Sequence, residues 1–185
     1  MSNTVVRTVV IGIDPSSKKI AATVTVNGAE PTLRIRPLPT GRRDTPRQLF
    51  LAGRWFRRLI MEFDPQSNDV YVYIENPFVS PKTIRACLPL ARMHGHLMAT
   101  AYACGVKVVD GVDISRWKSV SIGKGNASKT EIMAWVRKCW PQAAEQVGKD
   151  QDKADSAGIN VYGQHMVKQI KKIERLKEKN SADQG

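Results

Sequence analysis

The chain of 185 residues has only three cysteines, Cys87, Cys104 and Cys139, and no CxxC pair. Their odd number and wide spacing exclude a disulfide framework and a zinc ribbon and fit a reducing compartment. Histidine is equally scarce. His94 and His96 have no third ligand of the right kind nearby, so they read as helix side chains rather than a transition-metal site. No apolar run is long enough to cross a bilayer. The longest weakly apolar stretch, 86–109, is interrupted by Arg92, His94, His96 and Lys107. An export signal is not expected, because Arg7 breaks the N-terminal apolar run and the next run is strand-like. The reading is cytoplasmic, with no membrane partner. Acid is scarce too: 17 Asp and Glu stand against 29 Lys and Arg, a formal charge of +12. That excess concentrates phosphate at the surface and favours nucleic acid as the partner.

What is present suits one globular domain. The hydrophobic fraction is 42% and the charged fraction 25%, and the length allows a substantial core but not two large domains. Residues 5–14 read as a buried strand rich in Val and Ile. Residues 20–26 form a second strand, and Asn27-Gly28 is a hairpin turn signal leading to a third at 32–37. A basic loop, 38–46, precedes a helix over 49–63, where Leu49, Ala52, Phe56, Leu59, Ile60 and Phe63 recur at helical spacing. Residues 69–75 are the fourth strand. A long helix comes next over 81–104, with Pro89 as a kink or restart. Residues 106–109 form a short fifth strand, and 114–120 a short helix or loop.

Beyond these lie a flexible loop at 123–127 and a helix to Trp140, capped by Ser128 or Asn126, with Glu131 as capping-box partner of Ser128. Residues 148–151 read as a polar linker, and a last helix spans 152–170. The expected domain is 1–170, with 171–185 a basic, partly disordered extension whose charges read as solvated. Short turns make the first three strands an antiparallel meander, and helical crossovers make the later pairings parallel. The expected fold is therefore α/β, a mixed five-stranded sheet flanked by helices.

Four acids stand out against the scarcity of acid. Asp14 ends the run from Thr8 to Ile13, and Glu75 ends the run from Val70 to Ile74. If those strands are parallel neighbours, the two carboxylates end adjacent strands roughly 4.8 Å apart. Asp152 and Asp155 are i and i+3, on one face of a helix. Such a cluster repels itself unless a cation fills it. Mg2+ or Mn2+ suits carboxylate, water and phosphate oxygens. A pair of such ions about 3.5–4 Å apart activates a water and stabilises the leaving oxygen of a phosphodiester. Taken singly, an Asp before Pro starts a turn and DxxD caps a helix. Together, on a basic chain, they point to a metal-dependent nuclease. Asp150 is an alternative to Asp152, because helix starts are uncertain by several residues.

The motifs also resemble a known family. IGIDPSSKKIA (11–21) looks like the opening of the RuvC-like Holliday-junction resolvases, and YIENPF (73–78) resembles their second acidic motif with its aromatic. WKSVSIGKGNASKTEIMAWV (117–136) resembles their basic segment, with Lys118 and Lys129 at the paired lysines. DKADSAGIN (152–160) resembles their final DxADA motif. The likeness runs from about residue 7 to 164 in family order. It implies a ribonuclease H-like fold, a homodimer and two Mg2+ (or Mn2+) ions per site. The implied reaction is paired nicking of four-way DNA junctions that leaves 5′-phosphate and 3′-hydroxyl ends.

By the same resemblance Asp14, Glu75, Asp152 and Asp155 are the catalytic metal ligands. Lys129 lies by the scissile phosphate, Lys118 contacts the DNA backbone, and Phe78 sits at the junction centre. Ser16, Asn76, Pro77, Lys153, Ser156, Gly158 and the basic tail depart from the pattern and resemble the bacteriophage branch. A broader branched-DNA or RNA nuclease and a non-catalytic junction-binding protein are the alternatives; the complete acid set argues against the second. Residues 123–130 nearly spell a P-loop, but Ser128 replaces the required glycine and no buried strand precedes it, so no nucleotide cofactor is expected.

Overall fold

The structure, a computed structural model, describes residues 5–39, 45–78 and 84–182. Parts of three sequence-predicted segments lie outside them: 40–44 of the basic loop, 81–83 at the start of the long helix, and 183–185 of the tail. Among the described residues eleven elements follow in order: β1 Thr8–Pro15, β2 Lys19–Val26, β3 Thr32–Pro37, α1 Thr45–Met61, β4 Asp69–Glu75, α2 Ile84–Ala103, β5 Val108–Val112, α3 Ile114–Ile122, α4 Lys129–Cys139, α5 Pro141–Val147 and α6 Gln151–Ala182. The sheet order is β3-β2-β1-β4-β5. β1–β2 and β2–β3 are antiparallel, and β1–β4 and β4–β5 are parallel. The mixed five-stranded sheet and its meander-then-crossover plan are as the sequence predicts.

The differences are local. β5 lies over 108–112 rather than 106–109, because Lys107 ends the turn by donating its backbone N–H to Val70 before the parallel ladder starts. Pro89 does not break α2. α5 occupies 141–147, a stretch to which the sequence assigned no element: Pro141 stands in its first turn, where a missing N–H costs nothing. Of the two candidate caps for α4, Ser128 is the one used. Its hydroxyl accepts from the Glu131 N–H, and the Glu131 carboxylate accepts from the Ser128 N–H at 2.7 Å. The last helix runs without a break past residue 170 to Ala182. Within the segment read as an extension, Lys171 is paired with Asp69 at 3.4 Å and Glu174 with Lys107 at 3.3 Å.

Strand periodicity divides the interior into two layers. Val9, Ile11 and Ile13 of β1 and Val70, Val72 and Ile74 of β4 pack under α1 and α2 with Phe56, Leu59, Ile60 and Leu97. Val10, Tyr71 and Tyr73 face the other way, into a layer closed by Trp117, Ile132, Val136, Ile159 and Tyr162. By the same alternation Asp14 and Glu75 fall on the second face, the one covered by α6.

Two features seat α6 there. Gly12 has no room for a side chain, since a Cβ would strike the backbone of Ser156 and Asn160. The helix axis therefore lies directly on β1, two residues from Asp14. The fully buried Asn160 fixes its rotation. Its Nδ2 donates to the carbonyls of Val10 (2.7 Å) and Thr23 (3.0 Å), and its Oδ1 accepts from Thr25 and from Gln164 at 2.8 Å. Ser156 and Thr23 share a further buried bond of 2.8 Å. Each buried polar atom here would cost about 1–3 kcal/mol if left unpaired, so rotating α6 is unfavourable. Gly12→Ala is expected to destabilise the protein by about 2–3 kcal/mol, because backbone rather than a flexible side chain must give way. A urea midpoint unchanged from wild type would show that α6 is not seated on Gly12.

Candidate active site

Each acid reaches one edge of the sheet for a stated reason. The β1–β4 register pairs Ile13 with Ile74, so the next residues, Asp14 and Glu75, end neighbouring strands. Asp152 and Asp155 project from the first turns of α6, whose seat on Gly12 brings that helix start to the same edge. Asp14 is only 8% exposed. Its carboxyl is held well above the ordinary range by burial first, then by Glu75, Asp155 and Asp152, with Lys19 opposing. Burial likewise pushes Glu75 up to about 7, with Asp155 and Asp152 adding to it and Trp117 and Lys118 opposing. Asp155 rises to about 6, again chiefly through burial. The four residues thus share one field. Among the described residues, however, no group of three or more His, Cys, Asp or Glu side chains is placed so that it could hold a metal ion.

The donor set tests whether a divalent ion suits this place. The groups are hard anionic oxygens, two of them deeply buried, which raise one another's proton affinity; a doubly charged cation relieves that repulsion and accepts such ligands. Carboxylate oxygens are the ligand type that Mg2+ and Mn2+ take.

Supporting contacts orient the acids. Trp117 Nε1 donates to Glu75 Oε2 at 2.8 Å, and the Trp117 ring packs where Gly158 leaves space. Gln151 Nε2 donates to Asp155 Oδ1 at 2.8 Å. Asp150 plays another part: its Oδ1 accepts from the N–H groups of Asp152 and Lys153, capping α6, and pairs with Lys19 at 2.6 Å. Asp152 acts on both Asp14 and Glu75 and lies 3.4 Å from Lys19.

The remaining sequence-predicted residues are close but distinct. Lys118 is held by donating to the Ala127 carbonyl at 3.0 Å and lies 5.7 Å from the Trp117 ring centre. It lowers the proton affinity of both Glu75 and Asp155, and Lys129, exposed at the start of α4, does so for Asp155. Phe78 lies in the segment after β4 and is 68% exposed. Sequence reasoning missed Lys19, Trp117 and Gln151. Only position offered a signal: Lys19 comes soon after the Asp14 turn and Gln151 precedes the DxxD pair, but their partners lie 131 residues and one helical turn away.

Comparison with solved structures places this architecture. No protein-family model matches the sequence, and no curated protein matches it in sequence. The class is nevertheless defined by shape: the chain has a ribonuclease H-like α/β fold. Within that class it is similar to Thermus thermophilus RuvC, at 20% identity and a TM-score of 0.61 over 83% of this chain and 91% of that one. It is also similar to T. thermophilus RuvC in complex with Holliday junction substrate, at 21% identity and TM-score 0.61 over 83% and 90%. A third neighbour is the yeast mitochondrial Holliday junction resolvase Ydc2, at 18% identity and TM-score 0.55 over 82% and 75%. No helix of the described residues is long and apolar enough to cross a membrane.

The raised carboxylates link stability to pH. Glu75 and Asp155 release their protons near pH 4 when unfolded but near about 7 and about 6 when folded. Their contribution is complete below the unfolded values and is lost as pH rises through the folded ones. Chelator-treated protein should therefore lose thermal stability from about pH 4 to about pH 7. Glu75→Gln should flatten that slope, and added Mg2+ should raise the Tm more at the alkaline end. Scanning calorimetry reads all three, and a slope that Glu75→Gln leaves intact counts against the shared field.

Proposed function

We propose that this protein is a structure-specific DNA endonuclease that resolves four-way junctions by divalent-metal-dependent phosphodiester hydrolysis, acting as a homodimer. The observation that carries the reading is the gathering of four far-separated acids at one sheet edge of a chain with charge +12. The junction resolvases among its structural neighbours support the substrate. When bound, the ions would supply an activated water and charge neutralisation at the leaving oxygen. The chain's own groups do the rest. Asp14, Glu75, Asp152 and Asp155 hold the cations, with Trp117 and Gln151 keeping two of those carboxylates in place. Lys129 and Lys118 attract the phosphate to be cut and its neighbours. Phe78 offers an exposed face to unstacked bases, worth roughly 1–3 kcal/mol per stacked base.

A four-way junction has near two-fold symmetry, so a two-fold dimer addresses opposed strands. The outer side of α2 supports such a contact: Leu88, Ala91, Gly95, Ala99 and Tyr102 are exposed along it, and the helix contains no Asp or Glu. The departures at Ser16, Asn76, Pro77, Lys153, Ser156 and Gly158 are the grounds for placing the protein in the bacteriophage branch and, through it, in a bacterial cytoplasm. We also propose that the nuclease domain comprises residues 1–170, with 171–185 a basic extension whose charges are mostly solvated.

Labelled four-way junction, Y-fork, duplex and RNA–DNA hybrid, incubated with Mg2+ or EDTA, test the proposal. Wild type should nick the junction symmetrically and only with metal. Asp14→Asn should lower nicking about a hundred- to a thousandfold, the range seen when a key electrostatic group is removed from a site, while still binding the junction. Cutting of all four substrates would favour a broad nuclease, and binding without cutting by wild type a non-catalytic protein. Junction binding should weaken steeply with salt, as counterion release requires. A flat salt dependence would remove the phosphate-contact argument.

A further inference from the structure

We infer that the groove beside Phe78 receives one unpaired nucleobase and that Asp113 reads its amino edge. The inference rests on the junction-nuclease reading and names what that site recognises. Asn76, Pro77, Phe78, Asp113, Ile114 and Gly125 line a recess of about 560 Å³, within the range of about 300–1,000 Å³ typical of small-ligand pockets. A second recess shares Asn76, Pro77, Phe78 and Ile114 with it and reaches Glu75. The groove is thus continuous with the carboxylate edge.

Its walls suit a flat aromatic ring. Phe78 is 68% exposed, yet its backbone is anchored, since the Cys87 thiol donates to its carbonyl at 2.7 Å. The polar element is unusual. Asp113 stands at the N-cap of α3 but makes no capping bond. Instead its Oδ1 accepts from Asn76 Nδ2 at 2.8 Å. Asn76 is itself fixed: its N–H donates to the Val112 carbonyl at 2.9 Å, and its amide fills the space that Gly111 leaves, where a Cβ would collide with it.

Asp113 therefore lines the groove as an exposed residue held by Asn76 through one oxygen, with lone pairs left for a donor. An ionised carboxylate only accepts hydrogen bonds. It repels phosphate, so on a DNA-facing surface it selects against the backbone and for a base edge that donates. Adenine, cytosine and guanine carry an exocyclic amino group; the one edge donor of an unpaired thymine, its N3–H, is flanked by two carbonyl oxygens that repel a carboxylate. The departures at Asn76 and Pro77 acquire a role here: they build the clamp and the wall.

The test uses the full chain carrying Asp14→Asn and four-way junctions that differ only in one unpaired base at the crossover, with unbranched duplex as control. Fluorescence anisotropy gives the dissociation constants. Amino-bearing bases should bind about tenfold more tightly than thymine, the scale of one good base contact. Adding Asp113→Asn should shrink that spread to below about threefold. Phe78→Ala should weaken all four alike and keep the spread, because stacking is blind to base identity. Asn76→Ala, which releases Asp113, should shrink the spread as well and serves as the test if Asp113→Asn does not fold. Equal affinity for all four bases, or a spread that survives loss of Asp113 or Asn76, overturns the base-reading role while leaving the junction reading standing. Equal binding of junction and duplex overturns both.

Discussion

Everything at the candidate site depends on how closely one helix lies against one strand. α6 rests its backbone on Gly12, and Asn160 locks its rotation through carbonyls of β1 and β2. A side chain at position 12 would lift the helix start away from Asp14. A different rotation would turn Asp152 and Asp155 toward solvent, since on a helix only one face meets the sheet. The carboxylate cluster is electrostatically unfavourable by itself, as the raised proton affinities of Asp14, Glu75 and Asp155 record. Packing elsewhere must therefore hold it. The buried Thr23, Thr25, Ser156 and Asn160 network and the two apolar layers do so.

The same closeness of position explains the lysines and the tryptophan. Lys19 leaves β2 beside Asp14 and balances Asp150 and Asp152. Trp117 is fully buried, yet its one polar atom reaches Glu75, so a core residue of α3 also orients a carboxylate. Lys118, the next residue, acts on the acids from the same helix. One short helix thus links the core to a candidate cation ligand and to the lysine beside it. Next to it, Asp113 and Asn76 add a polar edge to the Phe78 groove. The candidate site and the Phe78 groove thus share the segments that follow β4 and β5.

Most of the fold was legible in the sequence because its signals are local. Alternating and continuous apolar runs mark β1 to β4, Asn27-Gly28 marks the hairpin, and the spacing from Leu49 to Phe63 marks α1. β5 was misplaced by about two residues because Val106 is as apolar as Val108, and only the Lys107–Val70 bond decides where pairing begins. α5 was missed because seven residues carry too little periodicity to register. The continuation of α6 beyond residue 170 was hidden by its charge, which marks a solvated helix as readily as a coil.

The sequence by itself determined which residue types are available and where along the chain they lie: two acids at strand ends, two a helical turn apart, and a large excess of positive charge. Those properties come from composition and from the periods of strand and helix. Only the tertiary structure decided that β4 lies beside β1, that Asp150 caps α6 and pairs with Lys19, and that Trp117 and Gln151 donate to Glu75 and Asp155. Most of these are contacts between distant segments, the Lys19–Asp150 pair spanning 131 residues. They are set by packing at Gly12, Gly158 and Asn160, where fit is a property of two surfaces and is written in neither segment alone.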